Sequence, residues 1–424
     1  MLMKISEIKN IDEELLNRIS KMIDINKTFM DTTDYTCFKL LYEMLRALVE
    51  DPRRTKYGNV KYDFWEIITI IIICSMFGIT TVKYIVDFAN KNIERFKFFL
   101  KLKEGIPKYD TFLRALHSIQ PEKLAILRCK WLDLYPEVEP LQSEDDFYYK
   151  GKKIEICAQD GKTIIGSGCK AKHKKAVHVV TNMNTRTLRI NGEIAVEDKS
   201  NEIDANKKLI EILCSLDGVL TTFDAMGCQK DLAIEINRRG GLWLFQVKKN
   251  QPSLYEDILY AFENKFTENE AVLEKNRDRY EARYYYYSNN VKYIPCLRER
   301  EGVKAFGLVY NITVRDNSIS KEPHLYIMNF DDKDLFMKAS RDHWAIENKL
   351  HYIADTVFLE DKCKVRKGNA PEALNIIRKI AITLFKKIAI SVEKSYSIKR
   401  LVNIARNSIS DLAELISGNF SILQ

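Results

Sequence analysis

Hydrophobic positions in the first third of the chain recur at helical spacing. Apolar residues stand three and four apart in residues 38–49 and 124–134, which is the pattern of an amphipathic helix. A third such run, 112–117, follows Asp110 and Thr111, and either of these could cap a helix. The most apolar stretch, 67–79, is shorter than the roughly 20 residues of a bilayer span, so we predict a buried helix. Together these features predict a helical N-terminal module over residues 1–148.

The hydrophobic period changes after the acidic, proline-marked stretch 136–146. Alternation of apolar and polar residues predicts three strands, at 153–159, 176–183 and 186–196. Two units of helix followed by short apolar strand come next, with helices at 202–216 and 229–239 and strands at 219–223 and 242–247. Few folds begin with three meandering strands and continue with alternating helix and strand. The ribonuclease-H-like fold is the best known of them, and we predict this α/β architecture for the core.

Further along, charged helical sequence at 255–276 leads into strand-like pieces at 283–287, 304–314 and 324–329. Helical spacing returns at 339–354 and 374–392. The pattern therefore divides the rest of the chain into an α/β part at 149–254, a strand-rich part at 255–338 and a helical part at 339–395, before a C-terminal helical tail at 396–424.

Composition narrows the class of protein only slightly. The net charge of +8, with 30% charged residues, suits a polyanionic partner but does not require one. The nine cysteines form no CxxC pair and their number is odd, which argues against a zinc ribbon or a disulfide framework. The first residues lack the apolar segment of a signal peptide. We expect a soluble, cytoplasmic protein without a membrane partner.

Three acidic residues stand where they could share a metal site. Asp160 ends the first predicted strand, Asp224 ends the fourth, and Glu347 lies in a predicted helix. Mg²⁺ prefers such oxygen ligands, and two ions about 4 Å apart can drive phosphodiester chemistry. A strand-end aspartate is nevertheless more often a turn-former or a helix cap. Since the chain has 59 acidic residues, some triad can always be drawn, and the acids alone decide nothing.

The strings around these acids are more specific than the acids themselves. They are DGKT at 160–163, KSNEI at 199–203, TFDAMGCQK at 222–230, VKKNQP at 247–252, HWAIENKLH at 343–351 and FLED at 358–361. In these strings, and in register from about residue 50 to 385, the chain resembles the bacterial insertion-sequence transposases of the ISAs type, also called H-repeat-associated proteins. It departs from the family at Ile165, where arginine is common, and has Ser340 and His343 where related transposases carry tyrosine and arginine.

The resemblance implies a ribonuclease-H-like domain whose DDE triad falls on Asp160, Asp224 and Glu347. These residues would hold two Mg²⁺ ions, for which Mn²⁺ would substitute. The resemblance also implies a β-rich insertion between the second aspartate and the glutamate. With it, residues 149–254 would form the first part of the catalytic core, 255–338 the insertion and 339–395 the second part. The implied activity is cleavage of transposon-end DNA and strand transfer into target DNA. We expect the helical module at 1–148 to bind the DNA ends of the element. The expected partners are double-stranded DNA, as terminal inverted repeats and as target, and a second copy of the chain in a complex at the bacterial nucleoid.

Further side chains are candidates for DNA contact near the triad, with a solvated charged surface as the alternative for each. They are Lys162, Lys170, Lys172, Lys174, Lys175, Lys248, Lys249, His343, Lys349, His351, Arg366 and Lys367. The spacing of His343, Glu347 and His351 could also suggest zinc, but such positions drift around a regular helix. We expect Trp344 to pack that helix onto the sheet. Asp355, Glu360 and Asp361 are rivals of Glu347 as the third acid.

The sequence thus predicts a DDE transposase. Three alternatives stay open. A nuclease of the same fold could hydrolyse DNA without joining strands, and a domesticated relative could bind DNA without catalysis. A zinc hydrolase using His343 and His351 is the third.

Overall fold

The computed structural model describes residues 35–53, 60–134, 146–196, 201–213, 215–264, 269–276, 279–315, 318–392, 396–418, 420 and 423. The helices are α1 Thr36–Leu48, α2 Phe64–Met76, α3 Val82–Lys91, α4 Ile93–Phe96, α5 Tyr109–Ser118, α6 Pro121–Asp133, α7 Glu202–Ile212, α8 Lys230–Arg238, α9 Pro252–Asn264, α10 Pro295–Arg298, α11 Lys333–Asp342, α12 Tyr352–Thr356, α13 Ala370–Ser391, α14 Ile398–Ala405 and α15 Ile409–Ile416. The strands are β1 Phe147–Tyr149, β2 Lys152–Thr163, β3 His178–Asn184, β4 Ile190–Val196, β5 Val219–Phe223, β6 Leu242–Val247, β7 Asn269–Asn276, β8 Arg279–Ser288, β9 Ala305–Arg315 and β10 Ser318–Met328.

The N-terminal helices form where the hydrophobic spacing predicts them. The apolar helix α2 is buried along almost its whole length, because α1, α5 and α13 pack around it. Its first turn is capped by Asp63, whose side chain accepts the Glu66 N–H at 3.0 Å. The predicted cap of α5 is wrong, since that helix begins at Tyr109 and takes Asp110 and Thr111 into its first turn. Among the described helices, none combines the length and the apolar character that crossing a bilayer demands.

The central sheet has the strand order of a ribonuclease-H-like fold. Its first five members lie in the order β4-β3-β2-β5-β6. Strands β2, β3 and β4 pair antiparallel, whereas β5 pairs parallel to β2 and β6 parallel to β5. The parallel pairings require the crossover helices α7 and α8, which the sequence pattern predicts. The predicted α/β fold class is therefore confirmed.

Strand β2 is longer than the sequence pattern indicates, and this corrects the placement of Asp160. The residue does not end the strand but lies inside it, opposite Thr181 of β3. The antiparallel ladder with β3 continues to the pair Thr163–His178, while the parallel ladder with β5 stops at Gln159–Phe223. Asp160 is thus the first residue of β2 beyond the end of β5, held by pairing on one side only.

The strands of the predicted insertion extend the same sheet. Strands β7 to β10 form an antiparallel meander, and β10 pairs antiparallel with β6. One prediction fails here. Helical sequence was expected over 255–276, but α9 ends at Asn264 and Asn269–Asn276 is strand β7. The pairing of β7 along all of its length with β8 overrides the helical preference of its residues.

Alternate residues of β6 show how both faces of the sheet are covered. Trp243, Phe245 and Val247 join an apolar cluster that includes residues of α8 and α9. Leu244 points to the other side, into a cluster with residues of α11. Such alternation is what a strand buried on both faces requires. On the side of β2 to β4, the long helix α13 packs against α2, α5 and α6, so N-terminal and C-terminal helices share one core.

The segment predicted as a continuous helix over 339–354 is interrupted. Helix α11 ends at Asp342, Ile346–His351 forms a π-helical turn, and α12 begins at Tyr352. In the π-turn the Tyr352 N–H donates to the carbonyl of Glu347, five residues back rather than four. Such turns are wider than a regular α-helix and occur frequently at functional sites.

Candidate active site

Two neighbouring strands bring Asp160 and Asp224 together. The last pair in the parallel ladder of β2 and β5 is Gln159–Phe223. Asp160 directly follows Gln159, and Asp224 directly follows Phe223. One carboxylate oxygen of each, with one from Glu202, lies within 4.8 Å of the others. The expected convergence of these two acids follows directly from the parallel register.

Asp224 is held by the backbone that follows it. Its Oδ1 accepts the N–H groups of Met226 at 2.9 Å and Gly227 at 3.3 Å, the arrangement of an aspartate that closes its own turn. Burial raises the pKa of Asp224, and the negative charge of Glu202 raises it further. The carboxylate is therefore fixed in direction and repelled by its neighbour.

Asp160 lies at the centre of the site. Burial is the main cause that raises the pKa of its carboxyl to about 6, and Asp224 adds to the rise while His351 opposes it. Carboxylates that raise one another's pKa by repulsion would be stabilised as anions by a cation between them. Their oxygens are the hard ligands that Mg²⁺ prefers, so the donor set fits the ion that the sequence predicts.

Glu347 lies near Asp160, and both carboxylates lie close to the ring of His351. Its Oε2 lies 3.0 Å from Nδ1 of His351, and the same nitrogen lies 3.7 Å from Oδ2 of Asp160. The hydrogen bond with His351 lowers the pKa of Glu347. One ligand atom each of Asp160, Glu347 and His351 lies within 4.8 Å of the others. The structure therefore brings Asp160 beside each of the other two predicted acids.

Glu202 is a residue that the reasoning on the acids missed. It begins α7 and is 2% exposed, and it shares the Asp160–Asp224 cluster. Its position in the KSNEI string was the one available signal, although Lys199 and Ser200 of that string lie outside the described residues. A buried glutamate at the start of an otherwise amphipathic helix is unusual unless it is paired. The burial of Glu202 therefore indicates that it belongs to the site.

Close packing explains why the residue after Asp160 is a glycine, Gly161. A Cβ there would run into the ring of His178 and would stand 2.9 Å from Cδ of Glu202. The backbone at this position is not in the left-handed region, so the requirement is one of space. The glycine of the DGKT string lets His178 and Glu202 pack directly against β2.

Lys162 does not face outward, as a DNA contact would require. Its ammonium lies 2.6 Å from Asp355 and 3.0 Å from Glu360, and its side chain is 13% exposed. Glu360 is fully buried and also faces Arg378 at 3.4 Å. Although burial alone would raise it, Arg378 and Lys162 bring the pKa of Glu360 down to about 2. The rivals Asp355 and Glu360 are thus engaged in ion pairs beside the site, and Asp361 accepts the Ile165 N–H at 3.2 Å.

His343 and His351 are both turned inward. Nδ1 of His343 is hydrogen-bonded with the Thr222 hydroxyl at 2.9 Å, and burial lowers the pKa of this histidine to about 4. His351 is 5% exposed. Direct DNA contact does not fit the burial of His351. Within the described residues the ligand-atom clusters include His351 with Glu347 but not His343, so the zinc arrangement is not assembled.

Trp344 contacts the sheet, as expected, but it is not a core residue. The side chain is 42% exposed and makes an edge-on contact with His324 of β10, with ring centroids 6.2 Å apart. Ala345 and Ile346, which follow Trp344, are the buried residues of this segment.

Most of the predicted basic contacts are exposed. The exposed members are Lys170, Lys172, Lys174, Lys175, Lys248, Lys249, Lys349 and Lys367. Lys248 is close enough to Asp224 to lower its pKa. The loop after β2 is tied to the segment that follows Glu360, because Lys174 donates to the carbonyl of Arg366 and Arg366 donates to the carbonyl of Gly166 at 3.0 Å. Arg366 is half-buried and serves this connection.

Comparisons with known proteins agree with the geometry. The family described as "Transposase DDE domain" matches residues 149–384, and the family "DDE_Tnp_1-associated" matches residues 44–132. A relative from Escherichia coli strain K12, "H repeat-associated putative transposase YhhI", is 32% identical over 80% of this chain and 88% of its own. "Putative transposase YncI" from Escherichia coli O157:H7 is 31% identical over 79% of this chain and 85% of its own.

A solved structure is also similar, more loosely. It is titled "Cryo-EM structure of piggyBac transposase synaptic complex with hairpin DNA", is 11% identical in sequence, and aligns over 92% of this chain and 86% of its own with a TM-score of 0.44. The family match covers more than half of the chain and includes Asp160, Asp224 and Glu347. The chain belongs to the DDE transposase family.

Proposed function

We propose that this protein cuts the ends of its own mobile element and joins them to target DNA in a Mg²⁺-dependent reaction. The observation that carries the proposal is the position of Asp160, whose carboxylate lies beside both Asp224 and Glu347. Bound there, two Mg²⁺ ions would activate a water or a 3′-hydroxyl on one side of a phosphodiester and stabilise the leaving oxygen on the other. Asp160, Asp224 and Glu347 are the proposed ligands and catalytic residues.

Neighbouring groups support this arrangement. His351 lies 3.0 Å from Glu347, and the backbone N–H groups of Met226 and Gly227 orient Asp224. Lys162 ties β2 to Asp355 and Glu360, on the segment that follows the π-turn. The Glu347 side chain is 59% exposed, so DNA can approach the site from its side.

We assign DNA-backbone contacts to the exposed lysines around this opening. Lys248 and Lys249 directly follow β6, the strand next to β5, and Lys170, Lys172, Lys174 and Lys175 surround the loop after β2. Lys349 and Lys367 complete the set. Lysine contacts to phosphate position a duplex without reading its sequence, so these residues would serve the terminal repeats and the target alike.

Cleavage of a duplex that carries the element's own terminal repeat tests the proposal. Wild-type protein is expected to nick it with Mg²⁺ or Mn²⁺, and Asp224→Asn to lose at least roughly 1,000-fold in rate, as expected for a residue in the reacting unit. Asp204→Asn is the matched control, because Asp204 is an exposed acid in the first turn of α7. Equal cleavage by wild type and Asp224→Asn would refute the mechanism.

The products distinguish transposition from its competitors. Joining of a labelled 3′ end to a second duplex would establish strand transfer, whereas nicking alone would leave a ribonuclease-H-like nuclease. No metal-dependent nicking would leave a DNA-binding relative without catalysis. Because two ends must be cut together, we also propose a homodimer in the DNA complex. Its mass can be measured by light scattering with and without the repeat.

A further inference from the structure

We propose that Glu202 and His351 add to the metal ligands of the DDE triad, so that the two metal positions of this site differ in chemistry. The first, the carboxylate position, is bounded by Asp160, Glu202 and Asp224, and the second, the histidine position, by Asp160, Glu347 and His351. The inference rests on the proposed function, since it assigns ligands to the ions of that reaction. It adds Glu202 and His351 to the three acids of the DDE triad.

At the carboxylate position three oxygens already lie close to one centre. They are within 4.8 Å of one another, while ligands at about 2.1 Å from an octahedral Mg²⁺ stand roughly 3–4 Å apart. A small closing movement would bring them to one ion. Asp160 and Asp224 are fixed by strand pairing and by a turn, and Glu202 is fixed at the start of α7 against Gly161.

One oxygen of the buried Glu202 carboxylate, Oε2, has no hydrogen-bond partner among the described residues. Its side chain is 3% exposed, and its Oε2 lies 3.0 Å from Nε2 of His178. The two atoms are not aligned for a hydrogen bond, and neither has another hydrogen-bond partner in the described structure. A buried carboxylate without such donors is costly. A cation shared with Asp160 and Asp224 would offset this cost.

The histidine position differs because one ligand is nitrogen. Nδ1 of the buried His351 points at both carboxylates, 3.0 Å from Glu347 and 3.7 Å from Asp160. Glu347 and His351 stand four residues apart in the π-turn, which packs against β2. Imidazole suits transition metals better than Mg²⁺, so this position favours Mn²⁺, whereas the all-oxygen position suits Mg²⁺.

Formal charge supports a role for Glu202 in the pair. Asp160, Glu202, Asp224 and Glu347 are the carboxylates of the two ligand groups. When ionised, these four match the charge of two divalent cations before any DNA phosphate is bound. The competing explanation is that the contact with His178 alone holds Glu202 in place, in which case Glu202 would not affect metal binding.

Titration of the full-length protein with Mn²⁺, followed by the electron paramagnetic resonance signal of the free ion, tests the assignment. Wild type is expected to bind two ions. Glu202→Gln keeps the shape of the side chain and removes its charge, so one position should weaken at least about tenfold, as even outer partners of a ligand cost that much. Asp204→Asn, from the same helical turn, should bind as wild type does. In competition with Mg²⁺, the ratio of Mn²⁺ affinity to Mg²⁺ affinity should be about tenfold lower for His351→Gln than for wild type.

The possible outcomes separate this inference from the proposed function. Fewer than two ions on wild type, or two ions with unchanged affinities on Glu202→Gln, would overturn it, even where the protein cleaves its end DNA. The expected binding pattern without end cleavage would instead overturn the proposed function. If Glu202→Gln does not fold, as judged by thermal unfolding, Glu202→Asp replaces it. That variant retains the charge but withdraws the oxygens, and it should show the same tenfold weakening.

Discussion

A buried ion-pair cluster joins the helical layer to the sheet. Glu193 of β4 contacts Arg128 of α6 and lies 2.5 Å from the ammonium of Lys379 on α13. All three side chains are at most 6% exposed. We predict that Glu193→Gln destabilises the whole protein at neutral pH, because it leaves two buried cations without their anion.

The size of the effect can be obtained in two ways. Burial alone would raise the pKa of Glu193, but Arg128 and Lys379 lower it from 4.5 to about 2. At about 1.4 kcal/mol for each pKa unit, this corresponds to about 3 kcal/mol. Removal of one partner from a buried pair costs roughly 3–5 kcal/mol by experience with other proteins. We therefore expect the free energy of unfolding to fall by about 3 kcal/mol.

The pH dependence follows from the direction of the pKa. Because the folded state lowers it, the stabilisation is complete above the unfolded value of 4.5 and is lost as the pH falls toward about 2. Urea denaturation of wild type and Glu193→Gln at pH 7 and pH 4 measures both effects. Glu155→Gln is the control, since Glu155 is an exposed glutamate of β2. A loss below about 1 kcal/mol at pH 7 would refute the reasoning, because that is the range of exposed pairs.

Three further perturbations test the site and its surroundings. Gly161→Ala should lower both the Mn²⁺ affinity and the rate of end cleavage at least about tenfold, because the added Cβ displaces His178 and Glu202. The same displacement should lower the free energy of unfolding by about 1–3 kcal/mol. A wild-type Mn²⁺ affinity of this variant, measured by calorimetry, would contradict the expectation. Trp344→Ala should cost under about 1 kcal/mol in urea denaturation, since the ring is 42% exposed; a loss in the range of roughly 3–5 kcal/mol would mark a core residue instead. The double variant Lys248→Glu/Lys249→Glu should weaken duplex binding and reduce the salt dependence by about one ion for each lost phosphate contact. Lys152→Glu, at the far end of β2 and paired with Asp217 at 2.7 Å, should leave the salt dependence unchanged.

The local sequence pattern was sufficient to predict the limits of an element that is short and bounded by clear signals. Strands β5 and β6 have the predicted limits, because each is an apolar run bounded by glycine on one side and polar residues on the other. The order of strands and helices then fixes the fold, and the parallel register of β2 and β5 makes the convergence of Asp160 and Asp224 predictable.

Features that depend on residues remote in sequence could not be predicted from the local pattern. The role of Glu202 depends on His178 and on β2, which are remote in sequence. Strand β7 exists because β8 pairs with it. The inward direction of Lys162 depends on Asp355 and Glu360, almost 200 residues away. The π-turn at Ile346–His351 leaves no periodic signal in so short a segment, so the interruption of the predicted helix could not be foreseen.

Anomalous scattering from Mn²⁺ in crystals of the protein bound to its terminal-repeat duplex tests the central claim most directly. Peaks should lie between the carboxylates of Asp160 and Asp224 and between those of Asp160 and Glu347, and Asp160→Asn crystals should lose both. Bound DNA with manganese elsewhere, or with no peak beside Asp160, would contradict the claim that these acids form the catalytic metal site.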